Sequence, residues 1–174
     1  IKAIPPYCFS GCSSLKSVDY PSSLEEIQSN AFLNCTGLTS IEIPTTVKTL
    51  STEIFQGCES LQECVLHENI TQIPSYMFEG CKSLKRFPIP ESIVSIGNDA
   101  FYESGLESIT IPSSVESLGK QALGNCKSLR SVDIQAPLKA ISSYLFYGCS
   151  KLDTINIPST AKVIYERAFY GCSS

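Results

Sequence analysis

The chain of 174 residues contains no tryptophan, one methionine and one histidine, and its net charge is only −4 with 17% charged residues. Each shortage removes a class of function. Without a basic excess the chain does not suit broad nucleic-acid binding, which relies on Lys and Arg to neutralise phosphates. No run of 18 apolar residues occurs, so no membrane-spanning helix is expected in this segment. No stretch reads as a secretory signal. The phosphate-binding loop, Gly-x-Gly-x-x-Gly, His-Glu-x-x-His and Gly-x-Ser-x-Gly are all missing. No Cys-x-x-Cys pair occurs and the sole histidine is His67, so the usual zinc spacings are lacking too. No cofactor or metal is expected.

What the chain does have is repetition. An aromatic column, Phe9, Phe32, Phe55, Phe78, Phe101, Leu123, Phe146 and Phe169, recurs every 23 residues with one spacing of 22. Other columns keep the same period: Leu15 to Leu152, Val18 to Ile155, Tyr20 to Ile157, Leu24 to Ala161, and Ile4 to Ile164. A fixed period of this length is the mark of a solenoid, whose units bury their apolar faces against neighbours rather than within themselves. The Leu-x-x-Val-x-Ile-Pro stretch alternates apolar and polar residues, which predicts a short strand with one buried face, ended by proline. A second short extended piece can follow it. The run Ile-x-x-x-Ala-Phe-x-Gly-Cys spaces its apolar residues for one helical turn. Gly11, Gly57, Gly80, Gly148 and Gly171 close that turn, with Asn34 and Asn125 as left-handed substitutes.

These columns together resemble the BspA-like, or Treponema-type, class of leucine-rich repeats. The resemblance spans essentially the whole chain. Its departures are Leu123 for Phe, Ser104 for Cys, and the residue lost between Phe101 and Leu106. The resemblance implies an α/β fold: a right-handed horseshoe with a parallel concave sheet and short helical turns on the convex side. Residues 1–174 are expected to form one array of seven full repeats plus a partial one. Both ends fall inside a repeat, at Ile1 and Ser174, without polar capping units. The chain is therefore expected to be a fragment of a longer protein, with ends open to end-to-end packing.

Seven of the nine cysteines occupy one column: Cys12, Cys35, Cys58, Cys81, Cys126, Cys149 and Cys172. Stacked coils place parallel side chains at roughly 5 Å, longer than the usual Cβ separation of a disulfide. The column therefore reads as a ladder of buried, reduced thiols. Cys8 and Cys64 read as core residues, and a Cys8–Cys12 bridge is the alternative at one turn. Cys64 and His67 lie close enough in sequence to raise a nucleophile–base pair, but one faces inward and the other replaces a turn proline, so no enzyme is expected.

Two surfaces are candidates for binding a protein ligand. On the concave face, Val65 and Pro88 put apolar surface beside Lys85, Arg86 and Arg130, the anatomy of a protein contact. The alternative reading of that face is a mixed, solvated surface. On the convex side, Tyr102, Tyr147 and Tyr170 follow the aromatic column, with Tyr7, Tyr76 and Tyr144 preceding it. Tyrosine buries area while keeping a polar handle, although simple edge packing accounts for the same residues. The family resemblance implies adhesion at a cell surface or in secreted form. An intracellular or cytoskeletal scaffold is the alternative.

Overall fold

The computed structural model describes residues 1–174, which wind into a parallel β-solenoid of about seven turns. Coils are numbered 1 to 8 by their aromatic-column residue, Phe9 to Phe169. Thirteen short strands lie on two walls. The first wall carries the Leu-x-x-Val-x-Ile strands: Ser40–Glu42 pairs in parallel with Glu63–Val65, and Ser131–Ile134 lies between Ser108–Ile111 and Thr154–Ile155. The second wall carries the Ile4 column, with Ala3–Ile4, Glu26–Ile27 and Thr49–Leu50 side by side in one register. Each residue pairs with the one a repeat away, as Ile41 with Cys64 and Ile27 with Leu50. The extended piece after the proline is thus a true second strand.

Prolines divide both walls. Gln28 N–H donates to Ile4 O at 3.0 Å and Ser51 N–H to Ile27 O at 3.0 Å. Pro74 holds the next position in that series and has no N–H. The second wall accordingly stops at Thr49–Leu50 and resumes with Gln72–Ile73, Ser95–Ile96 and Ser117–Leu118. Pro88 does the same on the first wall, where coil 4 contributes no strand between Glu63–Val65 and Ser108–Ile111.

The expected helical turns on the third side are not formed. That side is built of tight turns, and the chain contains no helix. The reason lies in the backbone. Gly11, Gly57, Gly80, Gly148, Gly171, Asn34 and Asn125 are left-handed as the sequence predicts, but a second left-handed residue stands four positions earlier in every coil: Tyr7, Asn30, Glu53, Tyr76, Asp99, Gln121, Tyr144 and Arg167, with φ of 52–62°. Left-handed residues at this interval forbid the continuous right-handed dihedrals of a helix. They also turn alternate N–H groups outward to the next coil. Phe32 N–H donates to Ile54 O at 3.0 Å and Phe55 N–H to Met77 O at 3.0 Å, while Cys35 N–H closes a local turn on Phe32 O at 3.1 Å. The turn wall is therefore laddered coil to coil, like the strand walls.

Inside lies one cluster of 47 buried apolar residues. The aromatic column is its spine, with Phe32 and Phe55 stacked at 5.5 Å between ring centroids and Phe55 and Phe78 at 5.9 Å. The cysteine column runs beside it, and all nine cysteines are free. From Cys35 onward each column thiol donates to the aromatic-column carbonyl of the coil before: Cys58 to Phe32 O at 3.1 Å, Cys81 to Phe55 O at 3.2 Å, Cys149 to Leu123 O at 3.1 Å. This bond needs a small donor that tolerates burial, which a thiol supplies. Ser104 fills the same column in coil 5, with its hydroxyl 3.3 Å from Cys126 Sγ. Cys8, expected in the core, is exposed, as is Cys12, because no coil covers their side of coil 1.

In the shortened coil 5, as at Gly37 in coil 2, a glycine sits tight against the coil before it: here it is Gly105. A Cβ at this position would lie 1.9 Å from the carbonyl oxygen of Lys82, a backbone atom that cannot swing aside. Gly105→Ala is expected to destabilise the chain by about 2–3 kcal/mol, as overpacking of a rigid site does. At Gly124 the nearest atom is a movable Gln121 side-chain carbon at 2.5 Å, so Gly124→Ala is expected to lose roughly 1 kcal/mol. Urea midpoints of the two variants check the contrast.

Candidate functional site

The first-wall strands alternate buried and exposed residues, as in the exposed–buried–exposed pattern of Glu63–Val65. That alternation aims Val65 outward, where it is 43% exposed. Pro88 is exposed one coil further along the same column, and Arg86 is exposed beside it. Lys85, also exposed, reaches the next coil and pairs with Glu107, Nζ to Oε1 at 3.3 Å. Arg130 stands exposed beyond Glu107, two coils from Lys85. The five predicted residues thus share one face. Val65, Arg86 and Pro88 form a contiguous centre, Lys85 is tied to Glu107, and Arg130 is set apart.

Because Pro88 keeps coil 4 out of the sheet, Lys85, Arg86, Phe87 and Ile89 make no backbone N–H hydrogen bond to a neighbouring coil. The centre of the site coincides with the break in the wall. Toward coil 1 the face opens into a hollow of about 560 Å³ lined by Asp19, Glu42, Glu63, Val65 and Tyr20. Within coils 3 and 4, Gln62, Lys82, Lys85 and Arg86 line a second depression. The apolar pair therefore lies beside both an acidic hollow and a basic depression. Lys82 is held there by Glu59 at 2.7 Å.

Sequence reasoning missed two members of this face, Tyr20 and Glu59, and the ion pair made by Glu107. Tyr20 reads as a strand aliphatic, yet it lines the hollow, with a hydroxyl that is buried without a hydrogen-bond partner. Burial and the neighbouring Cys64 push its phenol well above the ordinary value. The partners Glu59 and Glu107 were legible in principle, because each lies in the same repeat column as its lysine, one coil away.

On the turn wall, Tyr102 is half-buried and its hydroxyl accepts from Asn125 Nδ2 at 2.7 Å. Tyr147 and Tyr170 stack at 5.4 Å between centroids, and Tyr170 is 62% exposed. Gly124 holds the column position between Tyr102 and Tyr147, so the three tyrosines form one flat residue and a pair. Tyr144 joins the pair, its ring 5.8 Å from that of Tyr147, with Lys120 5.0 Å and Arg167 5.8 Å from its centroid.

Cys64 and His67 are not arranged as nucleophile and base. The Cys64 thiol is buried in the core, and burial pushes it far above the ordinary value, against thiolate formation. His67 uses Nδ1 to accept from the Asn69 N–H at 3.2 Å.

A family model described as BspA type leucine rich repeat region matches residues 1–104 and 94–174, in six copies. Among solved structures, a leucine-rich repeat protein from Bacteroides ovatus is 30% identical with a TM-score of 0.83, covering 98% of this chain. This chain spans 43% of that protein. The leucine rich repeat protein of T. pallidum is 28% identical with a TM-score of 0.82 over 91% of this chain and 75% of its own. A leucine rich cell surface protein from Faecalibacterium prausnitzii shares the fold at 21% identity, with a TM-score of 0.64 over 99% of this chain and 75% of its own. A comparison with curated proteins finds no match.

Proposed function

The chain belongs to the BspA-type leucine-rich-repeat family, and from that premise we propose that it is a non-enzymatic protein-binding array displayed at a cell surface, where it serves adhesion to host or matrix proteins. The observation that carries the reading is the exposed apolar pair Val65 and Pro88, set at the break in the first wall beside an acidic hollow and a basic depression. An apolar centre with a charged rim is how protein contacts are commonly built. Arg86 supplies a cation with no carboxylate partner within 4.0 Å, free to pair with a ligand. The surface placement draws on the Faecalibacterium neighbour, which is called a cell surface protein.

One observation favours the scaffold reading instead. All nine cysteines are free, as they would be in a reducing compartment. Labelling of intact source cells with a membrane-impermeant amine reagent separates the two. Surface display predicts labelling of the full-length protein without lysis, together with retention of a matrix protein by the immobilised chain. Labelling only after lysis would reject the surface reading in favour of the scaffold.

A further inference from the structure

Six of the eight tyrosines lie on the turn wall: Tyr7, Tyr76, Tyr102, Tyr144, Tyr147 and Tyr170. The charges on that wall are sorted by position along the stack. Coils 3 to 5 carry Glu53, Glu79, Asp99 and Glu103. Coils 6 to 8 carry Lys120 and Arg167, held against the two faces of Tyr144, with Glu166 the single carboxylate among them. No lysine or arginine forms an ion pair with any of the four acidic residues. Two of them are unfavourably placed in the free chain. Burial, aided by Asp99, Glu103 and Glu53, pushes the Glu79 carboxyl above its ordinary value, and burial does the same to Asp99 against the pull of Lys120.

We propose that the turn wall is a homodimer surface, on which a second copy of this chain lies antiparallel, the acidic coils of each copy against the cationic, tyrosine-rich coils of the other. Self-complementarity is what selects this occupant. A two-fold axis lying in the interface and crossing the stack between coils 5 and 6 maps every column onto itself with the coil order reversed. It therefore sets Glu53 of one copy opposite Arg167 of the other, twice over. The same operation brings Tyr76 against Tyr144, Glu79 against Tyr147 and Gln56 against Tyr170. Near the axis the wall is low, because Gly124 has no side chain and Tyr102 leans over it, its Cδ2 only 3.1 Å from the place of a Gly124 Cβ. A closed, isologous pair follows, which does not propagate into a filament. The stripe is narrow, so the contact falls below the roughly 800 Å² per partner of a standard interface. A dissociation constant on the order of 10–100 µM is expected.

Glu53 and Arg167 stand five coils apart, roughly 24 Å at the inter-strand spacing, too far to meet within one chain. Charge reversal therefore isolates the contact between copies. Sedimentation equilibrium across the micromolar range should show a monomer–dimer equilibrium for the wild type, weakened by added salt. Glu53→Arg and Arg167→Glu should each raise the dissociation constant about tenfold or more, and the combined variant should return it to within about threefold of wild type. Circular dichroism melts verify that each variant is folded. A second pair, Tyr76→Ser and Tyr144→Ser, should weaken dimerisation without restoring it in combination. A wild type that stays monomeric at about 200 µM, or a double reversal no tighter than its parents, overturns the proposal.

Discussion

Replacing Phe78 by alanine is expected to destabilise the chain by about 3–5 kcal/mol, the largest loss of any single side chain in the array. Phe78 is fully buried in coil 4. Its ring packs at 5.9 Å from Phe55, 5.3 Å from Phe101 and 4.9 Å from Phe87, the last tilted by 50°. Phe87 itself contacts Phe101 at 5.3 Å, so four rings share the space that would be emptied. The surrounding backbone cannot close around the hole. Phe78 N–H is tied to Ala100 O of the next coil at 2.8 Å, which holds the coil spacing open, and Cys81 N–H closes the local turn on Phe78 O at 3.2 Å. The end residue Phe9 is only partly buried, so Phe9→Ala should lose well under half as much. Urea denaturation of the two variants measures the difference. A Phe78→Ala midpoint equal to that of wild type would contradict the packing described.

The second large effect is alkaline. The Cys126 thiol is pushed up to about 11 and the Cys58 thiol to about 12, in both cases mainly by burial, with the charge of Cys35 adding at Cys58. Cys81 is raised in the same direction, again mainly by burial. In the unfolded chain these thiols titrate near their ordinary value, 9.0. The folded state thus keeps protons that the unfolded state releases. Stability contributed by each thiol is fully present below about pH 9 and is lost as pH rises toward 11 to 12. The slope is about 1.4 kcal/mol per pH unit per thiol, which amounts to about 2 kcal/mol for each by pH 10.5. Several thiols act together, so the array should melt cooperatively in mild alkali. Urea midpoints at pH 7, 9 and 10.5 test this for the wild type and for Cys58→Ala with Cys126→Ala. The double variant should be less stable at neutral pH and should lose stability less steeply above pH 9. An unchanged alkaline slope in that variant would remove the thiol ladder from the explanation.

Much of this architecture was legible in the residues. The columns gave the solenoid, the core and the coil-to-coil register, because each apolar position recurs at the period that stacks it on itself. The thiol ladder was legible for the same reason. The turn wall was misjudged because its left-handed residues at Tyr7, Glu53, Tyr76, Gln121, Tyr144 and Arg167 belong to types with no preference for that region, so no propensity signals them. Those from Tyr7 to Tyr144 are held there by hydrogen bonds to the next coil, a tertiary effect. The breaks at Pro74 and Pro88 could have been read, since each puts proline where a ladder N–H is required. The exposure of Cys8 and Cys12 follows from coil 1 having no coil beneath it, which a column taken alone does not convey. On the candidate site, the exposure of Val65, Arg86 and Pro88 came directly from strand alternation. The ion pairs that hold Lys82 and Lys85 came from neighbours one period away.

We propose that this array binds a protein ligand across the first wall at Val65, Arg86 and Pro88. The direct measurement is the affinity of the folded Val65→Glu, Arg86→Glu double variant for the protein that the immobilised wild-type chain retains. Both side chains leave the core, so the melting midpoint should be nearly unchanged. If the face is the contact, affinity should fall by well over tenfold, since central anchors commonly contribute about 2 kcal/mol or more each. Unchanged affinity in a fully folded variant would contradict the account and move the contact to the tyrosines of the turn wall.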